Sequence, residues 1–198
     1  MNEDPAMSGH DGLASELGAE QLVLLRLARE TIERALQGDH STPDPRRLSG
    51  ILARPRGVFV TLKKSGALRG CIGTLEADDP LAIAVAKCAV GAALRDPRFP
   101  PLEVAELHRV RISISVLERP RPLAVMDREE LLATLRPGQD GLLLESGQHR
   151  ATFLPQVWEQ LPEPAQLFAH LLKKAGLATD HWSDELRFQR YGSTNFSE

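Results

Sequence analysis

Residues 58–74 read Val58-Phe59-Val60-Thr61-Leu62-Lys63-Lys64-Ser65-Gly66-Ala67-Leu68-Arg69-Gly70-Cys71-Ile72-Gly73-Thr74. Val58, Val60 and Leu62 alternate with Phe59 and Thr61, the period of a strand with one buried face. Lys63-Lys64-Ser65-Gly66 turns the chain, and Ala67–Thr74 is predicted to return as the second strand of a hairpin. In a continuous strand Leu68, Ile72 and Thr74 face one way and Arg69 and Cys71 the other, provided the glycines introduce no bulge. The pattern then sets a cation and a thiol side by side. A nearby cation favours thiolate over thiol, and the flanking glycines let backbone or ligand approach closely.

Outward from this hairpin the chain alternates helices and strands. Leu22, Leu25, Ala28, Ile32 and Leu36 form an apolar stripe that predicts a helix over Glu20–Leu36, stopped by Gly38. Pro80–Leu94 is apolar or small almost throughout and predicts a buried helix, with Cys88 on its Leu81/Val85/Ala92 stripe as a core residue. Val110–Leu117 alternates as a strand with Ser113 and Ser115 on its polar face. Pro120 and Pro122 mark an irregular or edge segment, and Asp127 caps a short helix through Leu135. A second hairpin is predicted from Leu142–Glu145 and Arg150–Leu154, a helical turn at Pro155–Gln160, a helix over Ala165–Ala175 stopped by Gly176, and a last strand at Leu186–Arg190. Two hairpins with dispersed helices predict an α+β domain, mostly antiparallel sheet with flanking helices, rather than a doubly wound α/β fold. Residues 1–16 read as a disordered tail and 17–198 as the domain.

Composition narrows the function classes. In 198 residues, 42% are hydrophobic, enough for a core, and a net charge of −3 supplies no global field for nucleic acid or anionic lipid. No apolar run approaches the ~20 residues of a membrane span, and Met1–Glu16 has no apolar signal core, so the expectation is a cytoplasmic protein. Two cysteines and six scattered histidines carry no metal-ligand spacing, and neither metal nor cofactor is expected. Gly70-Cys71-Ile72-Gly73 has the Gly-x-x-Gly spacing of KH domains, but on a strand rather than between helices, and no Gly-Lys-Ser/Thr follows.

Leu68-Arg69-Gly70-Cys71-Ile72-Gly73-Thr74 resembles the signature of the AMMECR1 domain family. Gly57–Leu62 is similar to its approach strand, and Arg95-Asp96-Pro97-Arg98-Phe99-Pro100-Pro101-Leu102 to its second motif. Ile114–Leu117, Gly141–Leu144, Ala151–Val157 and Lys174–Leu177 resemble later blocks in the same order. The resemblance runs from about Glu20 to about Tyr191. It implies an α+β fold in two unequal lobes, with the cysteine motif near the cleft between them. It also implies kinship with AmmeMemoRadiSam system protein A, hence a Memo-like protein and a radical SAM protein as partners. It names no reaction. Relatives often carry a cysteine in the helix before Lys174-Ala175-Gly176, where this chain has leucines.

The candidate catalytic residues are Cys71, as nucleophile, redox-active thiol or soft-metal ligand, and Asp96, as general acid/base. Arg69 and Arg98, with Arg95 nearby, are candidates to hold a small anionic ligand bidentately. Gly70 and Gly73 allow its approach, and Ser113, Ser115 and Thr152 offer hydroxyls. His108 and His149 are the candidate bases. Each has a structural counter-reading: a packed cysteine, an Asp–Arg lock on a proline-rich turn, satisfied hydroxyls, surface histidines. Three functions stay open: an enzyme using Cys71, an accessory or binding module, and a nucleic-acid-binding domain.

Overall fold

The computed structural model describes residues 9–75 and 77–198, so the first half of the expected tail and Glu76 lie outside the described residues. In chain order the helices are α1 (Gly9–Leu17), α2 (Glu20–Leu36), α3 (Leu81–Leu94), α4 (Arg128–Thr134) and α5 (Pro164–Lys174). The strands are β1 (Val58–Lys64), β2 (Ala67–Thr74), β3 (Val110–Leu117), β4 (Arg121–Leu123), β5 (Gly141–Ser146), β6 (His149–Phe153), β7 (Arg187–Tyr191) and β8 (Ser193–Ser197). The α+β class expected from the sequence is the one observed. The chain divides into a larger unit, up to Glu118 plus Thr194–Glu198, and a smaller one, Arg119–Ser193.

The larger unit carries a four-stranded sheet in the order β2-β1-β3-β8. Strand β1 is central and antiparallel to both neighbours: Val60 lies between Ile72 and Ile114, and Thr61 between Cys71 and Ser113. Val58, Val60 and Leu62 join Ile112, Ile114 and Val116 in one core, against Leu24, Ala28 and Ile32 of α2 and Leu81, Val85 and Ala89 of α3. Helix α3 is buried on nearly all sides, as its composition requires. Pro80 stands just before it rather than in its first turn. Strand and helix approach so closely that a Cβ on Gly70 would lie 2.0 Å from the Ala92 carbonyl oxygen, and one on Gly91 would lie 3.0 Å from Ile72 Cγ2.

The expected parity of β2 is corrected at one point. Gly70 is opposite Leu62, but Leu68 is opposite Lys63, so Arg69 is an extra residue in a β-bulge. Leu68 is thereby set apart from Ile72, and it is 41% exposed. The bulge also removes the simple alternation that paired Arg69 with Cys71.

The described end of the expected tail lies in α1. Gly9–Leu17 is helical, and Leu13 and Leu17, one turn apart, are both buried in the first core. Strand β8 had no alternating apolar signal. Ser193-Thr194-Asn195-Phe196-Ser197 contributes only Phe196 to the core and takes its position from β3. Glu198 follows it. The Glu198 N–H donates to the Ile112 carbonyl (3.1 Å), and its carboxylate accepts from Arg29 Nε (2.6 Å) and the Ile112 N–H (3.1 Å).

The smaller unit has its own sheet, β4-β7-β5-β6, with each neighbouring pair antiparallel. Strand β4 is an edge, where Pro122 need donate nothing to a further strand. Leu142, Leu144 and Phe188 pack with Leu167, Phe168, Leu171 and Leu172 of α5. The Phe168 ring meets Trp182 and Phe188 edge-on at centroid distances of 6.1 and 5.8 Å. Asp127 caps α4, accepting from the Glu130 N–H at 2.8 Å, and Gly176 ends α5 with φ +78°. No helix among the described residues is long and apolar enough to cross a membrane.

Two glycine substitutions test this packing by urea unfolding. Gly70→Ala forces a methyl group into the Ala92 carbonyl and should cost ~1–3 kcal/mol. Gly12→Ala, on an exposed helical position with nothing within 4 Å, should add about 0.5–1 kcal/mol if α1 is docked. An unchanged midpoint for Gly12→Ala would restore the tail.

Candidate functional site

Strand β2 is an edge of its sheet, so among the described residues no strand lies along the outer side of its backbone. At Cys71 that side is closed by the loop after α3. The Asp96 carboxylate accepts the Cys71 N–H (Oδ2, 2.8 Å), the Arg98 N–H (Oδ1, 3.1 Å), Arg98 Nε (Oδ1, 2.9 Å) and Arg98 Nη2 (Oδ2, 2.7 Å). Arg98 Nη2 also donates to the Cys71 carbonyl at 3.3 Å. One acid and one base therefore take the donor and the acceptor that a neighbouring strand would take. Backbone bonds hold the loop: Phe99 N–H to the Asp96 carbonyl (3.1 Å) and Leu102 N–H to the Ala93 carbonyl (2.8 Å). The Arg98 guanidinium lies 5.6 Å from the centroid of the Phe99 ring. Asp96 is buried, and Arg98 beside it holds its carboxyl well below the usual carboxylate range against the opposing effect of burial. Asp96 in turn raises Arg98.

Arg69 leaves β2 at the bulge and is spent elsewhere. It donates to the carbonyls of Pro100 (2.9 Å) and Pro101 (3.3 Å) and, through Nη2, to Glu106 (2.9 Å). Glu106 also accepts from Lys64 Nζ at 2.6 Å and from the Glu103 N–H at 3.2 Å. Arg69 first, then Lys64, bring its carboxyl down to about 2. Glu106 and Lys64 were not singled out from the sequence. The available signal was Glu103-x-x-Glu106, the spacing of a reciprocal cap, and that cap starts the short turn Val104–Arg109.

The Cys71 thiol is partly exposed, with Sγ 3.2 Å from Thr61 Oγ1. Thr61 is in turn opposite Ser113, so Cys71, Thr61 and Ser113 form a row on the face away from the core. In the next row Phe59 separates Gly73 from Ser115. A Cβ on Gly73 would lie 2.3 Å from Phe59 ring atoms, so this glycine seats an aromatic ring. Cys88 is buried on α3, where desolvation pushes its thiol up to about 11.

Thr152 belongs to the smaller unit. Its hydroxyl donates to the Leu142 carbonyl (2.9 Å) and shares a 2.6 Å bond with the Tyr191 hydroxyl, which burial pushes up to about 12. His149 Nδ1 lies 2.8 Å from the Ala175 carbonyl oxygen, and His108 is exposed in the Val104–Arg109 turn. Among the described residues no group of three or more His, Cys, Asp or Glu could hold a metal ion.

This chain is thus an α+β protein in which an Arg-Gly-Cys edge strand is closed by an Asp-Pro-Arg loop. The AMMECR1 family model matches residues 25–196, and the chain belongs to that family. A protein of Methanothermobacter thermautotrophicus is 40% identical over 181 residues, covering 90% of this chain and 94% of its own. One from Thermofilum pendens is 38% identical over 181 residues, covering 86% and 84%. The crystal structure of the uncharacterized protein PH0010 from Pyrococcus horikoshii matches with a TM-score of 0.81 at 33% identity, over 89% of this chain and 90% of that one.

Asp96 and Glu106 are both held below their unfolded values. Their contribution to stability is complete above about pH 4.3, the higher unfolded value, and is lost as pH falls through the native values. Asp96→Asn should cost ~1–3 kcal/mol at pH 7. It and Glu106→Gln should each flatten the stability profile between pH 5 and pH 2 in urea titrations. Acid limbs parallel to that of the parent would refute the assignment.

Proposed function

We propose that this chain is a non-catalytic accessory module that works by binding proteins through the loop sealed onto β2, with a Memo-like protein and a radical SAM protein as partners. The observation that carries this reading is the engagement of the motif's charges. A general acid/base must exchange a proton near neutral pH, but the Asp96 oxygens accept four hydrogen bonds and its carboxyl is held low. An arginine that binds substrate needs free donors, and Arg69 gives its own to Glu106 and two proline carbonyls. What this lock presents outward is a stiff, proline-rich loop, with Leu68 and Val104, 41% and 66% exposed, on the segments that Arg69 and Glu106 join. Rigid, partly apolar surface of this kind loses little entropy on association. The identity of the partners rests on the family resemblance.

One observation favours a second reading, an enzyme with Cys71 as nucleophile: the thiol is partly exposed and meets a hydroxyl at 3.2 Å. Both readings are tested by co-expressing this chain with the Memo-like and radical SAM proteins of its own genome. The expected result is co-elution of the three on gel filtration, kept by Cys71→Ser and lost on Leu68→Asp with Val104→Asp. Failure to co-elute, together with rapid labelling of Cys71 by iodoacetamide at pH 7 while the buried Cys88 stays unmodified, would overturn the binding reading in favour of the enzyme.

A further inference from the structure

Arg69 and Arg98, expected to bind an anion beside Cys71, are committed to internal bonds, but Arg121 and Arg190 in the smaller unit are not. In the smaller unit Arg121 of β4 lies directly opposite Arg190 of β7. Opposite residues of an antiparallel pair project from the same face with Cβ atoms about 5 Å apart, and like charges placed so are destabilising. Among the described residues neither guanidinium has an ion pair or hydrogen bond, whereas the other arginines of this sheet are engaged. Arg150 pairs with Glu145 at 3.1 Å, and Arg187 donates to the carbonyls of Asp184 and Leu186 at 2.6 and 3.0 Å. Arg136, outside the sheet, pairs with Asp140 at 2.7 Å.

Among the described residues of the sheet, the register gives the pair no counter-charge. The row continues from Arg190 to Leu142, which is buried, and then to Phe153. The sheet's carboxylate, Glu145, is three rows away, and therefore on the opposite face. Arg190 is half-buried and Arg121 exposed, so one fork is steadied by its surroundings while the other stands at the open edge.

We infer that Arg121 and Arg190 form a binding site for a phosphate group. Two guanidinium forks at directly opposite positions of neighbouring strands each carry paired N–H donors, and their combined charge suits a doubly charged tetrahedral oxyanion better than a carboxylate. The ligand is an inorganic phosphate or a phosphomonoester. The site is independent of the proposed partner loop, since none of its residues belongs to the Cys71 motif.

The test is calorimetric titration of the full chain with sodium phosphate, against sodium chloride at matched ionic strength. The parent chain should bind one phosphate. Arg121→Gln and Arg190→Gln should each weaken that binding at least ten-fold, and Arg190→Lys, which keeps the charge but not the fork, should fall between. Arg150→Gln removes the same charge from a paired arginine and should leave affinity within two-fold. Without phosphate, Arg121→Gln should melt no lower than the parent, because relief of like-charge opposition offsets the loss of an exposed side chain; this reading also shows that the variant folds. Glycerol phosphate separates the sources. Tighter binding than inorganic phosphate assigns the site to a monoester and weaker binding to the free anion, and either supports a phosphate site. Equal phosphate responses from the parent and the double glutamine variant, or acetate binding as well as phosphate, would overturn it.

Discussion

The Cys71 N–H bonded to the Asp96 carboxylate is the contact on which the larger unit's motif region depends. It satisfies an edge-strand donor that would otherwise be left to solvent or to another chain. It also fixes the carboxylate that holds Arg98, and Arg98 closes the matching carbonyl. The loop anchored in this way brings Pro100 and Pro101 to the bulged Arg69, whose remaining donors reach Glu106 and, through it, Lys64 on β1. Strand edge, loop and turn form one hydrogen-bonded unit, with Asp96 and Glu106 as its two anionic centres.

This network requires β2 and α3 to lie very close. Two glycines make that possible by omission. Gly70 admits the Ala92 carbonyl, and Gly91 admits the Ile72 side chain. The end of α3 is thereby brought to the strand, and Asp96, the second residue beyond it, reaches the Cys71 backbone. The glycines around Cys71 are explained by packing: Gly70 receives a helix and Gly73 receives the Phe59 ring. Neither needs a ligand to account for it.

Much of the fold was legible because it follows local periodicity. The boundaries of α2 and β2 agree with the apolar stripe from Leu22 to Leu36 and with the turn at Lys63–Gly66. The second hairpin and α5 lie within a residue or so of their expected ends. Features that borrow their structure from elsewhere were missed. Leu13 and Leu17 become helical core only against the rest of the larger unit, and the polar β8 is a strand only because β3 offers it an edge. The candidate site was partly legible. Of the residues named, Cys71, Asp96 and Arg98 are joined by hydrogen bonds, while Arg69 turns to Glu106 and the Pro100 and Pro101 carbonyls. Thr152 belongs to the other unit, and its hydroxyl is held by Leu142 and Tyr191.

By itself the sequence determined most of the strands and helices, where the turns between them fall, and the resemblance to the family. Each of these depends on residues a few positions apart, whose side chains share a face by covalent geometry alone. Only the tertiary structure decided the allegiance of the charges: Asp96 to the Cys71 backbone, Arg69 to a carboxylate and two carbonyls across a loop, and Arg190 beside Arg121. An arginine's partner is set by which chain ends nearby in space, so identical side chains can hold a loop shut in one sheet and stand unpaired in another.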